Sequence, residues 1–175
     1  VLEGLTRVNN RAEALPMLAE RWEPETETTW LFYLRPDALF SNGEPADARA
    51  VALTQSILIS EEGRSYPIAV EQRGIDLIEV VDDTTVRVHT TQPDILLPNK
   101  IAAMKIVPPK YWADVGADGF AMDPIGTGPF VIDRWTAGRM TLVRSPTAWR
   151  QPIIDGIELI PASDPAARVQ ALLSE

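Results

Sequence analysis

Two short β-prone runs, 75–81 and 85–91, are separated only by Asp82-Asp83-Thr84. A connection that short joins antiparallel neighbours, because a parallel return needs a crossover of a dozen residues or more. In the second run Val86 and Val88 alternate with Arg87 and His89, the pattern of a strand with one buried and one solvated face. A tight hairpin is therefore expected here, and the rest of the fold has to be built around it.

Neighbouring segments supply its partners. Trp30, Phe32 and Leu34 alternate with Leu31, Tyr33 and Arg35 until Pro36 stops the strand. Residues 40–45 (FSNGEP) are turn chemistry, with Asn42-Gly43 suited to positive φ. Asp47 is placed to cap a helix over 48–60, with Ala50, Leu53, Thr54, Ile57 and Leu58 on one face. Before this, 1–8 read as a strand containing one glycine, followed by a polar turn at Asn9-Asn10-Arg11.

Downstream, a short helix within 94–102 has to accommodate Pro98. Residues 105–107 are strand-like, and Pro108-Pro109 opens a helical turn carrying Tyr111 and Trp112. A loop holding Gly116, Gly119 and Pro124 follows. Strands are then expected over 130–135 and 140–144 around Ala137-Gly138, and over 153–160. A last helix runs from Pro165 to the chain end behind Asp164. Hairpins interspersed with helices point to an α/β layered domain, a mixed sheet with flanking helices, rather than a bundle or a sandwich.

A chain of 175 residues can bury a substantial core. Its formal net charge is −9, with 25 acidic and 16 scattered basic residues, which argues against a nucleic-acid partner. The absence of cysteine excludes a disulfide framework and a thiolate metal site. No run approaches the ~18 apolar residues of a membrane span, and no leader pattern is present. The chain opens in a strand-like run and stops in a helix-like one, so both ends read as cuts within a longer mature protein.

Catalytic readings find little to stand on. The one histidine, His89, lies on the alternating strand beside Arg87 and reads as solvent-facing. A Ser-His-Asp set needs its histidine in a cleft, and no Gly-x-Ser-x-Gly elbow occurs. Gly126-Thr127-Gly128-Pro129 leads into a β-rich run instead of a helix and lacks the lysine of a phosphate loop. It reads as a tight backbone crossing into a strand. Asp82-Asp83 and Glu61-Glu62 read as solvated ends of elements, and Trp22, Trp30, Trp112, Trp135 and Trp149 as packing residues. The expectation is a protein that is not an enzyme and holds no cofactor and no metal ligands of its own.

A series of short strings nevertheless stands in a distinctive order. Leu2-Glu3-Gly4-Leu5 comes first, then Pro16, Leu18, Ala19 and Trp22, then Leu34-Arg35. Phe40, Gly43 and Pro45 precede VDDTTV at 81–86, VPPK at 107–110 and PIGTGPF at 124–130. Residues 142–144, Trp149, and Ile160-Pro161 with Asp164-Pro165 and Ala167-Arg168 complete the series. In this order and spacing the chain resembles the extracellular solute-binding proteins of family 5, the peptide- and nickel-binding receptors of ABC importers. The run at 40–48, FSNGEPADA, is most similar to the nickel-receptor branch. Arg49-Ala50 departs from the family's usual acidic pair, and 144–149 lack its usual Asn and Tyr.

The resemblance implies part of the first lobe of a type II periplasmic-binding-protein fold, in which two lobes close on a ligand about a hinge. It implies residues 1–124 as the peripheral subdomain of that lobe and 125–175 as the start of its base subdomain, with the second lobe absent. The protein would be periplasmic or membrane-anchored and extracellular, binding a small peptide, a metal chelate or a similar polar solute for an ABC permease in the inner membrane. A solute-sensing regulatory or signalling module with the same fold is the alternative. Two ligand contacts are implied: Tyr66, in the segment after the first helix where such relatives turn an aromatic ring to the cleft, and Lys105, the cation nearest the position where they carry a ligand-contacting arginine. These 175 residues are not expected to close on a ligand by themselves.

Overall fold

The computed structural model describes residues 1–162 and 164–173. The expected continuation of the last helix through Ser174 and Glu175 lies outside the described residues. Two short strands, β1 (Thr6–Val8) and β2 (Ala14–Pro16), form an antiparallel ribbon around the turn at Asn9. Only the end of the 1–8 run is a strand. Its earlier backbone instead ties separate elements together, with the Gly4 and Leu5 carbonyls accepting from the Leu18 and Ala19 amides.

The next strands are β3 (Ala19–Thr26) and β4 (Thr29–Leu34), followed by helix α1 (Ala48–Ile59) and the hairpin β5 (Ile75–Asp82) and β6 (Thr85–Thr90). The four strands make one antiparallel sheet in the order β3-β4-β6-β5. Trp30 stands opposite Val88 and Phe32 opposite Val86, so the alternating residues of both strands share the inner face, where Phe32, Val86 and Val88 are fully buried. Side chains of this size each contribute about 1.5–3 kcal/mol on burial. On the outer face Arg87 donates to Glu25 at 2.8 Å and to Glu79 at 3.0 Å.

Strand β3 was not anticipated from the sequence. Its run AERWEPET is polar and contains Pro24, composition suited to an exposed edge rather than to a recognisable alternation.

Asp47 caps α1 as expected, accepting from the Arg49 and Ala50 amides at 3.0 and 3.1 Å. The buried stripe is rotated from the expected one. Ala50, Val51, Thr54, Gln55 and Leu58 face inward, whereas Leu53 and Ile57 are half-buried. Two polar residues belong to this stripe because they serve neighbouring backbone. Gln55 Oε1 accepts from the Ile78 amide at 2.7 Å, and Thr54 Oγ1 accepts from the Val107 amide at 3.1 Å.

Helix α2 (Leu97–Lys100) runs into a 3-10 turn at Ile101–Ala103, matching the short helix expected around Pro98. Residues 105–107 differ from expectation. They are extended but enter no ladder, because the Ile106 amide donates to the Glu3 carbonyl and the Val107 amide to the Thr54 hydroxyl. The loop expected around Gly116 and Gly119 is largely helical. Helix α3 (Pro109–Met122) consists of two helical pieces on either side of Gly116, whose φ of 65 and ψ of −168 break the helix there. The start of α3 is capped from a distance, Glu44 accepting from the Lys110 and Tyr111 amides at 2.8 and 3.1 Å.

The Gly126-Thr127-Gly128 turn is the backbone crossing its composition predicts. Gly128 N–H donates to the Val1 carbonyl at 2.8 Å, and a Cβ on either glycine would fall against that same oxygen. Beyond it β7 (Phe130–Thr136), β8 (Arg139–Arg144) and β9 (Gly156–Leu159) form a three-stranded antiparallel sheet. Strand β9 is shorter than the expected 153–160. Arg144 draws the Ile153 and Ile154 carbonyls into hydrogen bonds of 3.0 Å each, away from the ladder. Helix α4 (Pro165–Leu173) starts behind Asp164, whose carboxylate accepts from the Ala166 amide.

Candidate ligand-binding cavity

Three segments that are distant in sequence enclose a cavity of about 560 Å³. The first is the end of α1 with the two 3-10 turns after it, Gly63–Ser65 and Pro67–Val70. Ser60 stops the helix by accepting the Gly63 amide on its hydroxyl at 3.0 Å. Pro67 favours extended backbone at the preceding residue, and Tyr66 accordingly has φ −72 and ψ 135. Its hydroxyl donates to Glu62 at 2.9 Å.

The second wall is the end of the 3-10 turn at Ala103 with the extended segment after it, from which Lys105 reaches the cavity. Its ammonium donates to the Ala102 carbonyl at 2.8 Å. The third wall is α3, contributing Trp112, Asp118 and Phe120. Trp112 and Phe120 lie with ring centroids 5.4 Å apart and planes tilted by 55°, a favourable edge-toward-face arrangement.

Burial holds the Lys105 ammonium below the usual lysine pKa range, and the Glu3 carboxylate opposes this. The Tyr66 phenol is pushed up, first by its hydrogen bond to Glu62, then by burial, then by the charges of Glu62 and Asp118. The cavity thus offers aromatic and aliphatic walls with an ammonium and two carboxylates at its margins. The Thr54 hydroxyl on its wall is donated to the Ala50 carbonyl. Among the described residues no three His, Cys, Asp or Glu side chains gather as metal ligands would.

Tyr66 and Lys105, the two residues singled out from the sequence, line this one cavity together. Glu62, Trp112, Asp118 and Phe120 were missed. Trp112 and Phe120 stand on either side of the break at Gly116, so no helical spacing in the sequence joins them. Glu62 read as a solvated helix end, and its contact with Tyr66 depends on the turn at Ser60.

A second polar centre stands outside the cavity and has a structural character. Glu3 is only 4% exposed. One of its carboxylate oxygens takes the Arg150 guanidinium, and the other takes the Thr127 hydroxyl at 3.1 Å and the Trp149 indole N–H at 2.9 Å. The Arg35 guanidinium stacks 4.0 Å from the Trp149 ring centre. The strings at 2–5, 34–35, 124–130 and 149 that stood out in the sequence therefore meet around one carboxylate. His89 lies on the outer sheet face, 3.3 Å from Glu79.

The chain is similar to known proteins over most of its length. The family model for bacterial extracellular solute-binding proteins, family 5 Middle, matches residues 13–175. A nickel-binding periplasmic protein of Escherichia coli (strain K12) is 26% identical over 180 residues, covering 98% of this chain and 34% of that protein. The HTH-type transcriptional regulator SgrR of Salmonella typhi is 28% identical over 147 residues, covering 82% of this chain and 24% of the regulator. Among solved structures, AgaA of A. tumefacien R10 in complex with agropinic acid superposes with a TM-score of 0.89 at 26% identity, over 99% of this chain and 36% of AgaA. The chain thus spans about a third of the length of the nickel-binding protein and of AgaA. Its α/β architecture of antiparallel sheets and flanking helices is part of the type II periplasmic-binding-protein fold. With the match extending over nearly all of its length, the chain belongs to the bacterial extracellular solute-binding proteins, family 5.

Proposed function

We propose that this chain forms part of the first lobe of an extracytoplasmic receptor that delivers a small polar solute, such as a peptide or a metal chelate, to an ABC permease in the inner membrane. Residues 1–124 act as the peripheral subdomain and 125–175 begin the base subdomain. The observation that carries this reading is the cavity, which Tyr66 and Lys105 both line. Its volume lies within the range of small-molecule sites. The protein works in the periplasm or anchored on the outer surface of a membrane. No helix among the described residues is long and apolar enough to cross one.

The test is a thermal-shift panel on the polypeptide that carries this chain, with dipeptides, oligopeptides, nickel with chelators, and opine-like compounds. A ligand at about 100 times its Kd adds roughly 2.7 kcal/mol of stability. At least one class is expected to stabilise the protein, and Tyr66→Ala is expected to erase most of that gain. Stabilisation by none of them would overturn the receptor reading. The similarity to a transcriptional regulator over 82% of the chain favours a second reading, a solute-sensing regulatory module. A DNA-binding segment in the same polypeptide, with sequence-specific DNA binding in a gel-shift assay, would decide for it.

A further inference from the structure

The charge of the cavity is unbalanced. Glu62 and Asp118 both reach it, and neither forms an ion pair among the described residues. The one cation on its walls, Lys105, is turned to the Ala102 carbonyl, and the Glu3 carboxylate acts on it as well. Lys105 therefore has negative neighbours of its own, and the two cavity carboxylates have no cation to answer them. The rings of Tyr66, Trp112 and Phe120 line the same cavity.

Aromatic faces carry negative potential and attract ammonium or guanidinium groups, by about 0.5–2 kcal/mol according to how far the cation is desolvated. Carboxylates beside such faces reinforce the attraction, and a guanidinium can meet a carboxylate with two parallel hydrogen bonds. The overall charge of −9 adds a long-range field of the same sign. The phenol of Tyr66, which feels both carboxylates, is held in its neutral form.

We infer that the solute bound in this cavity carries a cationic group, an ammonium or a guanidinium, held by Glu62 and Asp118 against the rings of Tyr66, Trp112 and Phe120. This rests on the receptor reading above and narrows its substrate class. Lys105 then meets the opposite, electron-rich end of the solute, and a zwitterion with its charges separated by an apolar stretch satisfies both margins.

The test uses the polypeptide that carries this chain. N-acetyl-arginine amide, its neutral isostere N-acetyl-citrulline amide and the acidic N-acetyl-glutamate amide are titrated separately, with the Trp112 indole and Phe120 amide NMR signals as readout. The arginine derivative is expected to bind at least about fivefold more tightly than the citrulline derivative, as a single cation–π and carboxylate contact implies. In the double variant Glu62→Gln/Asp118→Asn that preference is expected to vanish, with the remaining spectrum unchanged as the control for folding. Equal binding of the two, tighter binding of the glutamate derivative, or a preference that survives the double variant would overturn the cationic assignment and leave the cavity as a solute site. Absence of any shift up to roughly tens of millimolar would also overturn it. If solutes from the thermal-shift panel then stabilised Tyr66→Ala as well as the parent, the cavity would fall as the receptor's site too.

Discussion

Arg150 reaches back across 147 positions to place Nε and Nη2 on a single carboxylate oxygen of Glu3, at 3.2 and 2.7 Å. The Glu3 side chain is 3% exposed and that of Arg150 45%, so a solvent-facing cation stoppers a buried anion. Removing the cation leaves the anion with only the Thr127 hydroxyl and the Trp149 indole as partners. Breaking a fully buried pair costs about 3–5 kcal/mol. With Arg150 half in water, the expectation for Arg150→Met is a smaller loss, about 1–3 kcal/mol. Urea unfolding of the two proteins measures it, and an unchanged midpoint at equal slope would show that Glu3 is adequately held by its neutral partners.

The cap on α3 makes a more local prediction. Glu44 accepts from the amides of Lys110 and Tyr111, 66 and 67 positions away. Pro108, at the capping position, has no side chain that could do this. Glu44→Ala is expected to cost about 0.5–2 kcal/mol, the usual range for a lost helix cap. Hydrogen exchange should rise first at the start of α3, beside Trp112. Uniform loss of protection over the whole chain, with no excess at 110–115, would contradict a local capping role.

What could be read from the sequence follows how local each determinant is. The hairpin at 75–91, the alternation at 30–34 and the Asp47 cap are written within a few residues, and all formed as expected. The start of α3 at Pro108-Pro109 was also legible, whereas strand β3, at a polar sheet edge, and the helical piece after Gly116 were not. The cavity was legible only in part. Tyr66 and Lys105 came from a resemblance, whereas joining Trp112 to Phe120 required knowing how the chain turns at Gly116. Glu62 and Asp118 carry no sequence signal of their own, since exposed acids are common and only the turn at Ser60 and the bend in α3 bring these two to one cavity.

Acid should reveal the ladder on the outer sheet face. The hydrogen bonds from Arg87 hold the carboxyls of Glu25 and Glu79 below their ordinary range, His89 adding to the effect at Glu79. A carboxyl with a depressed folded pKa contributes stability above its unfolded value and loses that contribution as pH falls through the folded one. Arg87→Met removes the cause. The melting-temperature gap between parent and variant is therefore expected to be full near about pH 6 and to close below the ordinary carboxylate range, about pH 4. Because the groups are solvent-exposed, added salt should shrink the gap at the higher pH. A gap independent of pH would assign the Arg87 effect to packing of its aliphatic stem instead.

Thr54 couples the core to the cavity. Its hydroxyl donates to the Ala50 carbonyl at 2.8 Å within α1 and accepts the buried Val107 amide at 3.1 Å from the segment that carries Lys105. Thr54→Val keeps the shape and deletes the hydroxyl, leaving the Val107 N–H buried without its acceptor. An unsatisfied buried donor costs about 1–3 kcal/mol. The strain falls on 104–107, whose other backbone ties are the bonds from Met104 to Ile101 and from Ile106 to Glu3. Thr54→Val is therefore expected to lower stability by that amount and to accelerate exchange of the Val107 amide out of proportion to the global loss. Thr54→Ser, which retains the hydroxyl, should restore protection at Val107 even where the missing methyl costs stability. If Thr54→Ser exchanged at Val107 as fast as Thr54→Val, the hydroxyl would not be what fixes this wall, and the placement of Lys105 would have to be traced to Glu3 alone.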